Sequence, residues 1–285
     1  MNGKSQRTEE CAYDDGGRVV GVVLDDVVVV VGSEDAGGVA EPRQLILQGS
    51  NSGIGYDTAK ALAASASYHV IMACRSAEKA AQALSEIQAN SPNGSLSTIQ
   101  LDVTDHASIY QAAKMVDEEF GRLDTLINNA GALLKSEGGL AEQMREAFEI
   151  NTIGQVIMTE AFRPLLAKSK DARLIFLSSR LSSISLRLQR DHQSYNAPFA
   201  SYRMSKAALN MWAACAAKEG KEQGIRVWTV DPGLVATNLG GNKEALKQMG
   251  AGSSEVSAQT ILSIIEGRRD TDIGKLIHKD GVHPW

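Results

Sequence analysis

Cysteine is scarce in this sequence, and its three residues are far apart. Cys11, Cys74 and Cys215 have neither metal-ligand nor disulfide-framework spacing, so we expect no metal site. Cys74 and Cys215 lie in apolar runs, which indicates ordinary core packing. The pattern fits a reducing compartment, and we expect a cytoplasmic protein.

Excess positive charge and long hydrophobic runs are also lacking. The formal net charge is −5, whereas a nucleic-acid-binding protein needs a basic face to neutralise phosphates. The apolar stretch 19–31 is too short to span a bilayer and contains Asp25 and Asp26. The chain starts without the basic segment and cleavage site of a secretory signal. We therefore expect neither a nucleic-acid partner nor a membrane association.

Residues 1–43 differ in composition from the rest of the chain. They are rich in Val, Gly and Asp and show no helical period. We interpret them as an N-terminal appendage that is either disordered or irregular, or that forms an added β-hairpin. Function is expected to lie in residues 44–285.

From residue 44 onward, apolar strands alternate with amphipathic helices. This alternation is typical of a parallel sheet covered by helices on both faces. We predict one doubly wound α/β (Rossmann) domain over residues 44–285, with about seven strands. The predicted strands lie at 44–48, 68–74, 97–103, 123–131, 173–179, 225–230 and 274–278.

Three glycines, Gly49, Gly53 and Gly55, cluster between the first predicted strand and the first predicted helix. A helix N-terminus offers unpaired N–H groups, and glycine lets a phosphate approach them closely. The spacing G-x-x-x-G-x-G differs from the common G-x-G-x-x-G fingerprint, and such a cluster can be turn chemistry alone. Its position at the first strand-to-helix turn favours a pyrophosphate site.

Further motifs follow this turn in a fixed order. They are "LDVTD" (101–105), "NNAG" (128–131), Asn151, the serines at 178–179, "YRMSK" (202–206) and "DPGLVAT" (231–237). Their order resembles that of short-chain dehydrogenases/reductases over about residues 43–285. The stretch "SSRLSSIS … YRMSKAALNM" is similar to the carbonyl-reductase branch that contains Sniffer-like and C-factor-like proteins. One departure is Gln48, where the family usually has a threonine that braces the glycine turn; this puts the rigidity of the turn in question.

Tyr202 and Lys206 are four positions apart on a predicted helix and therefore share a face. A phenol ordinarily ionises at a pKa of about 10, and a neighbouring ammonium favours the phenolate. We expect Lys206 to lower the pKa of Tyr202 toward the working pH, where a general acid–base is most effective. Within the motif order, the pair is predicted to protonate a carbonyl oxygen during hydride transfer.

The resemblance implies two further catalytic residues. Ser179 would hydrogen-bond the substrate oxygen as an oxyanion donor does, with Ser178 as the competing candidate. Asn151 matches the family asparagine that holds a helix kink and a water linking lysine to solvent; the alternative is a helix-interior residue bonded to its own backbone. The stretch between Ser179 and Tyr202 is longer than is typical of the family, which places an extra loop, 187–199, beside the expected substrate cleft.

The turn after the second strand discriminates between nicotinamide cofactors. It carries Arg75 and Ser76, with no acidic residue before Glu78, which favours the additional phosphate of NADP over NAD. Pro232 and Gly233 fit either a cofactor contact or a simple turn. The residues expected to contact the cofactor are Gly49, Ser50, Ser52, Gly53, Ile54, Gly55, Arg75, Asp102, Val103, Asn129, Ala130, Gly131, Tyr202, Lys206, Pro232, Gly233, Val235 and Thr237.

These expectations combine into an NADP-dependent reductase of a small, largely apolar ketone or aldehyde. The resemblance also suggests a tailoring role in secondary metabolism and a homodimer or homotetramer built on the helices around 141–167 and 202–221. Two alternatives stay open. One is an NAD-linked alcohol dehydrogenase, and the other is a sensor that binds nicotinamide nucleotides without turnover.

Overall fold

The protein was analysed as a computed structural model, which describes residues 10–13, 19–24, 27–30, 41–90, 92–133, 139–240 and 243–285. The chain divides into two units, Met1–Glu41 and Pro42–Trp285. In the first unit, β1 (Glu10–Tyr13), β2 (Val19–Leu24) and β3 (Val27–Val30) form an antiparallel sheet in that order. Most of the predicted appendage lies outside the described residues, so its interpretation stays a prediction.

The second unit contains an eight-stranded sheet. Its strands are β4 (Arg43–Gln48), β5 (Tyr68–Cys74), β6 (Ser95–Gln100), β7 (Thr125–Asn128), β8 (Arg173–Leu177), β9 (Arg226–Val230), β10 (Leu276–His278) and β11 (Gly281–His283). The order across the sheet is β11-β10-β9-β8-β7-β4-β5-β6. All neighbouring pairs are parallel except β10 and β11. The predicted doubly wound sheet is confirmed, and β11 is a strand that the sequence did not predict.

The described part of the second unit contains nine α-helices. They are α1 (Gly53–Ala63), α2 (Ala77–Gln88), α3 (His106–Phe120), α4 (Leu140–Phe148), α5 (Gly154–Leu166), α6 (Ile184–Leu188), α7 (Ala200–Gly220), α8 (Lys243–Gln248) and α9 (Ser254–Ile265). Within the part of the chain that the structure describes, no helix combines the length and the apolar character needed to cross a bilayer.

Two apolar cores lie on opposite faces of the sheet. In β4, Ile46 packs into the core that contains α3, α5 and α7, whereas Leu45 and Leu47 pack into the core that contains α1, α2 and α9. Successive strand residues point to opposite faces, and both faces are covered, so the centre of the strand, Leu45–Leu47, is apolar on both sides. The carboxyl ends of the parallel strands consequently share one edge. The strand order reverses between β4 and β7, where ligands of such sheets bind.

Two local expectations are corrected by the structure. The strand predicted at 97–103 lies at Ser95–Gln100, so residues 101–103 leave the sheet at its carboxyl edge. Cys74 is buried as predicted, but Cys215 is exposed, so its assignment to the core was wrong. The cause is helical geometry: Ala213 and Ala216 of α7 are buried in the core, and Cys215 lies between them on the outward face.

Candidate active site

The glycine turn between β4 and α1 has a backbone conformation that side chains at its glycine positions would disturb. Gly49 and Gly53 have φ angles of +61° and +57°, in the left-handed region that favours glycine. A Cβ on Gly55 would lie 2.4 Å from the carbonyl oxygen of Gly49. Ser52 precedes α1 without capping it through a side-chain hydrogen bond. The first N–H groups of α1 therefore point out of an open cradle, which suits a pyrophosphate.

Gln48 supports this turn even though the family threonine is missing. Its amide nitrogen Nε2 donates to Asn128 Oδ1 at 2.9 Å, and its carbonyl oxygen accepts from Asn129 Nδ2 at 2.7 Å. The amide of Gly49 donates to the Ala73 carbonyl oxygen at 2.8 Å. Neighbouring strands thus hold both sides of the turn, and the Asn129 side chain links them.

A cavity of about 580 Å³ runs from the glycine turn along the carboxyl edge of the sheet. The predicted cofactor residues that line it are Gly49, Ser52, Gly53, Ile54, Arg75, Asp102, Val103, Asn129, Ala130, Gly131, Tyr202, Lys206, Pro232 and Thr237. Ser50 and Gly55 are buried behind the turn instead, and Ser50 Oγ lies 3.4 Å from Cys74 Sγ. Gly233 and Val235 lie in the loop after β9, next to the lining residues.

One end of the cavity carries two cationic side chains, Arg75 and Lys79. Ser76 begins α2 as its N-cap, and its side chain accepts from the amide of Lys79 at 3.3 Å. The sequence analysis missed Lys79. Its position in the first turn of α2, one helical turn beyond Arg75, is the signal that would have identified it.

Tyr202 lies in α7 with 8% of its surface exposed, and the side chain of Ser179 lies near its hydroxyl. Burial raises the pKa of Tyr202 to about 12; the neighbouring Ser179 side chain opposes this effect, and the negative charge of Asp231 adds to it. The expected lowering of this pKa was therefore wrong for the protein alone. The spacing in the sequence identified Lys206 as the partner of Tyr202. It did not indicate how strongly burial disfavours the charged phenolate.

Lys206, one turn further along α7, is also buried. Its Nζ donates to the carbonyl oxygen of Leu177 at 2.7 Å. Burial lowers the pKa of Lys206 to about 7, so its ammonium is only partly charged at neutral pH. A partly charged ammonium directed at a main-chain oxygen stabilises a phenolate less than the sequence analysis assumed.

The buried ammonium makes a pH-dependent contribution to stability that Lys206→Met should remove. Between about pH 7 and the ordinary lysine value of 10.5, the unfolded chain binds the proton that the folded chain lacks. The contribution of this side chain to the free energy of unfolding of the unmodified protein therefore rises with pH across that window. The melting temperature of Lys206→Met relative to the unmodified protein should be highest near pH 7 and decline toward pH 10.5. Thermal melts with exposed Lys60→Met as the control test this, and a flat or rising difference would contradict it.

The two adjacent serines after β8 have different partners. Ser178 Oγ donates to Asn210 Oδ1 at 2.5 Å, which ties it to α7. Ser179 Oγ accepts from the amide of Leu181 at 3.1 Å and lies near the Tyr202 hydroxyl. Ser178 lines the cavity, whereas Ser179 is the serine beside the phenol, so the choice of Ser179 stays a prediction.

Asn151 lies in a π-helical turn, Glu149–Ile153, between α4 and α5. Its Oδ1 accepts from the amide of Ala132 at 2.8 Å, and its Nδ2 donates to the Ala132 carbonyl oxygen at 2.9 Å. The side chain therefore binds the loop after β7, unlike the alternative in which it bonds its own helix. A Cβ on Gly131 would lie 3.2 Å from Asn151 Oδ1 and 3.4 Å from Lys206 Nζ. Glycine at this position keeps open the space beside the lysine.

Asp231, at the end of β9, is a buried carboxylate near Tyr202. Its Oδ2 lies 2.9 Å from Arg180 Nε and 3.0 Å from His283 Nε2. Burial alone would raise the pKa of Asp231, but the hydrogen bond with His283 and the charge of Arg180 hold it below its usual value. These contacts connect β11 to the site. Sequence reasoning missed them because it did not predict β11.

Comparisons with known proteins agree with this geometry. The family described as short chain dehydrogenase matches residues 43–248. Short-chain dehydrogenase/reductase tropE of Talaromyces stipitatus is 35% identical over 266 residues, covering 87% of this chain and 99% of that protein. Short-chain dehydrogenase/reductase eupG of a Phoma species is 35% identical over 274 residues, covering 84% of this chain and 96% of that protein. The structure of NADPH-bound carbonyl reductase from chicken fatty liver superposes with a TM-score of 0.72 and 31% identity, covering 86% of this chain and all of that one.

A sheet of this topology with this cradle and these relatives defines an NAD(P)-dependent oxidoreductase. The chain belongs to the short-chain dehydrogenase/reductase family. The family predicted from the motif order is thereby confirmed, as is its likeness to carbonyl reductases.

Proposed function

We propose that this protein uses NADPH to reduce a ketone or aldehyde to an alcohol, with Tyr202 as the general acid. One observation carries the proposal: a single cavity joins the glycine cradle and the cationic pair Arg75 and Lys79 to the buried hydroxyl of Tyr202. A dinucleotide bound along this cavity, with its phosphates at the cradle, would place its reactive ring beside the phenol. Bound NADPH supplies the hydride; the chain's own residues supply the proton and the orientation.

The ionisation states in the site fit proton donation. With a pKa of about 12, Tyr202 carries its proton throughout the physiological pH range. An alkoxide that develops on the substrate is a stronger base than a phenolate, so transfer from Tyr202 is downhill. Ser179 lies near the same hydroxyl and can donate to the substrate oxygen as its charge develops.

Resupply of the proton falls to Lys206. Its pKa of about 7 lets it gain and lose a proton at neutral pH, and it lies across Gly131 from Asn151. Asn151 is fixed at both amide atoms by the main chain of Ala132, so it holds this side of the site in place. We assign it a positioning role toward the lysine.

The direct test is NADPH oxidation by the purified protein against diverse ketones and aldehydes, with NADH in parallel. Turnover with NADPH on at least one carbonyl supports the proposal. Faster turnover with NAD⁺ and alcohols favours the alcohol dehydrogenase alternative. Tight NADPH binding without turnover on any substrate would point to the nucleotide sensor instead.

Loss of the cationic pair should weaken the binding of NADPH but not that of NADH. A charge-assisted hydrogen bond is worth about 1.5–3 kcal/mol, so Arg75→Ala with Lys79→Ala should raise the KM for NADPH by about 10–100-fold. The KM for NADH should change little, because NADH lacks the phosphate that these groups would bind. Lys60→Ala, an exposed lysine of α1, is the matched control. Equal losses with both cofactors would refute the assignment of the phosphate site.

The wider role is proposed from the family and the relatives. We propose a tailoring reductase of secondary metabolism acting on a small, largely apolar carbonyl compound; the extra loop and the full-length fungal relatives support this. Assembly as a homodimer or homotetramer, and a cytoplasmic location, are likewise proposed for this chain.

A further inference from the structure

Arg203, the residue after Tyr202, is a buried cation held by main-chain oxygens. Only 8% of its surface is exposed. It donates to the carbonyl oxygens of Leu181, Ser194, Ala197 and Pro198. Burial lowers the pKa of Arg203, and the nearby charge of Arg187 lowers it further. A cation buried at this cost indicates a defined task for the guanidinium.

One of the four carbonyl groups, that of Leu181, lies shortly after β8, and the other three lie in the second half of the extra loop. Nη1 of Arg203 donates to Leu181 at 3.1 Å, near the point where the chain leaves β8. Nε donates to Pro198 at 3.1 Å and Nη2 to Ala197 at 3.0 Å, just before α7 begins. One planar group therefore connects the chain shortly after β8 to the end of the extra loop.

The backbone at the end of the loop is itself constrained. Phe199 has a φ angle of +74°, and among the described residues it is the one non-glycine residue in the left-handed region. Its carbonyl oxygen accepts from the amide of Arg203 at 2.9 Å. Strain of this kind persists only where the surroundings hold the chain in place, and the arginine contacts do so here.

The segment that contains the extra loop begins next to Ser179 and ends next to Tyr202, and the Ser179 side chain lies near the Tyr202 hydroxyl. Leu181, which Arg203 holds, donates its amide to Ser179 Oγ at 3.1 Å. We propose that Arg203 is a positioning residue that closes the extra loop and thereby sets the Ser179 hydroxyl against the Tyr202 hydroxyl. The inference rests on the proposed reductase function for its kinetic consequence, and its structural half stands without it.

Lysine should not replace arginine in this role. The guanidinium reaches four carbonyl groups because its donors form a wide planar fork, whereas an ammonium concentrates its donors on one atom. Arg203→Lys keeps the charge but loses the connection between the two ends. A misplacement of about 1 Å can cost about 100-fold in rate, so kcat should fall by about 10–100-fold, with NADPH affinity unchanged within about twofold.

A double-mutant cycle separates positioning from general stabilisation. If Arg203 acts through Ser179, Arg203→Lys should cost much less kcat in a Ser179→Ala background than in the unmodified protein. Arg190→Lys, the same exchange at an exposed residue of the same loop, is the matched control and should leave kcat unchanged. Additive losses, or unmodified kcat in Arg203→Lys, would overturn the proposal.

Limited trypsin digestion tests the loop closure independently of activity. The loop contains Arg187 and Arg190, and we expect Arg203→Lys to be cut after these residues at least several-fold faster than the unmodified protein and Arg190→Lys. Cleavage at the unmodified rate would overturn the inference whether or not the protein reduces any carbonyl. Absence of turnover in the unmodified protein, by contrast, would count against the proposed function alone.

Discussion

Tyr202→Phe is expected to lower kcat for carbonyl reduction by about 10²–10⁴-fold, the range that general acid–base catalysis contributes. The exchange removes one hydroxyl and keeps the aromatic ring, which is almost fully buried in α7. The cradle at Gly49–Gly55 and the cationic pair at the far end of the cavity are untouched. NADPH affinity, measured by fluorescence titration, should therefore stay within about fivefold, since a lost neutral hydrogen bond is worth about 1 kcal/mol.

The matched control is Tyr195→Phe. Tyr195 lies in the extra loop, where its ring is 5.9 Å from the Arg187 guanidinium carbon, and the exchange keeps that ring. It should leave kcat nearly unchanged. If Tyr202→Phe retained substantial turnover, the proton would have to come from another group, and the assignment of Tyr202 would fall.

The sequence predicted the elements of this site better than their electrostatics. Tyr202 and Lys206 lie on one face of α7 because helical spacing requires it, and Ser179 follows β8 because the strand pattern ends there. The pKa of Tyr202 was predicted in the wrong direction. Such a pKa shift depends on burial by segments that are distant in the sequence. The spacing of neighbouring residues gives no information about that burial.

The contacts that the loops make could not be predicted from the sequence either. Arg203 could be placed on α7, but its four carbonyl partners depend on the path of a loop that has no readable motif. The same holds for His283, which reaches Asp231 only because β11 reverses the chain at the sheet edge. Lys79 differs from these two residues. Its nearness to Arg75 follows from helix geometry and could have been predicted from the sequence.

Gly55→Ala is expected to weaken NADPH binding by about 10–100-fold and to lower the melting temperature. An alanine Cβ would lie 2.4 Å from the Gly49 carbonyl oxygen and 2.9 Å from Asn129 Nδ2. Neither neighbour moves freely: one is backbone, and the other is the side chain that braces Gln48. The start of α1 must therefore shift away from the turn, which displaces the N–H groups that would hold the pyrophosphate. Overpacking of this kind costs about 1–3 kcal/mol, and part of that cost falls on the cofactor-binding conformation.

Gly139→Ala provides the comparison, because it makes the same exchange at another helix N-terminus. A Cβ on Gly139 meets nothing within 4 Å, and its φ of −61° suits any residue. NADPH titration and thermal melts of both variants separate a local effect on the cradle from a general effect of replacing glycine. If Gly55→Ala bound NADPH as tightly as Gly139→Ala does, the glycine turn would not be the phosphate site. The proposed path of the cofactor from Arg75 to Tyr202 would then have to be abandoned, since that path passes along this turn.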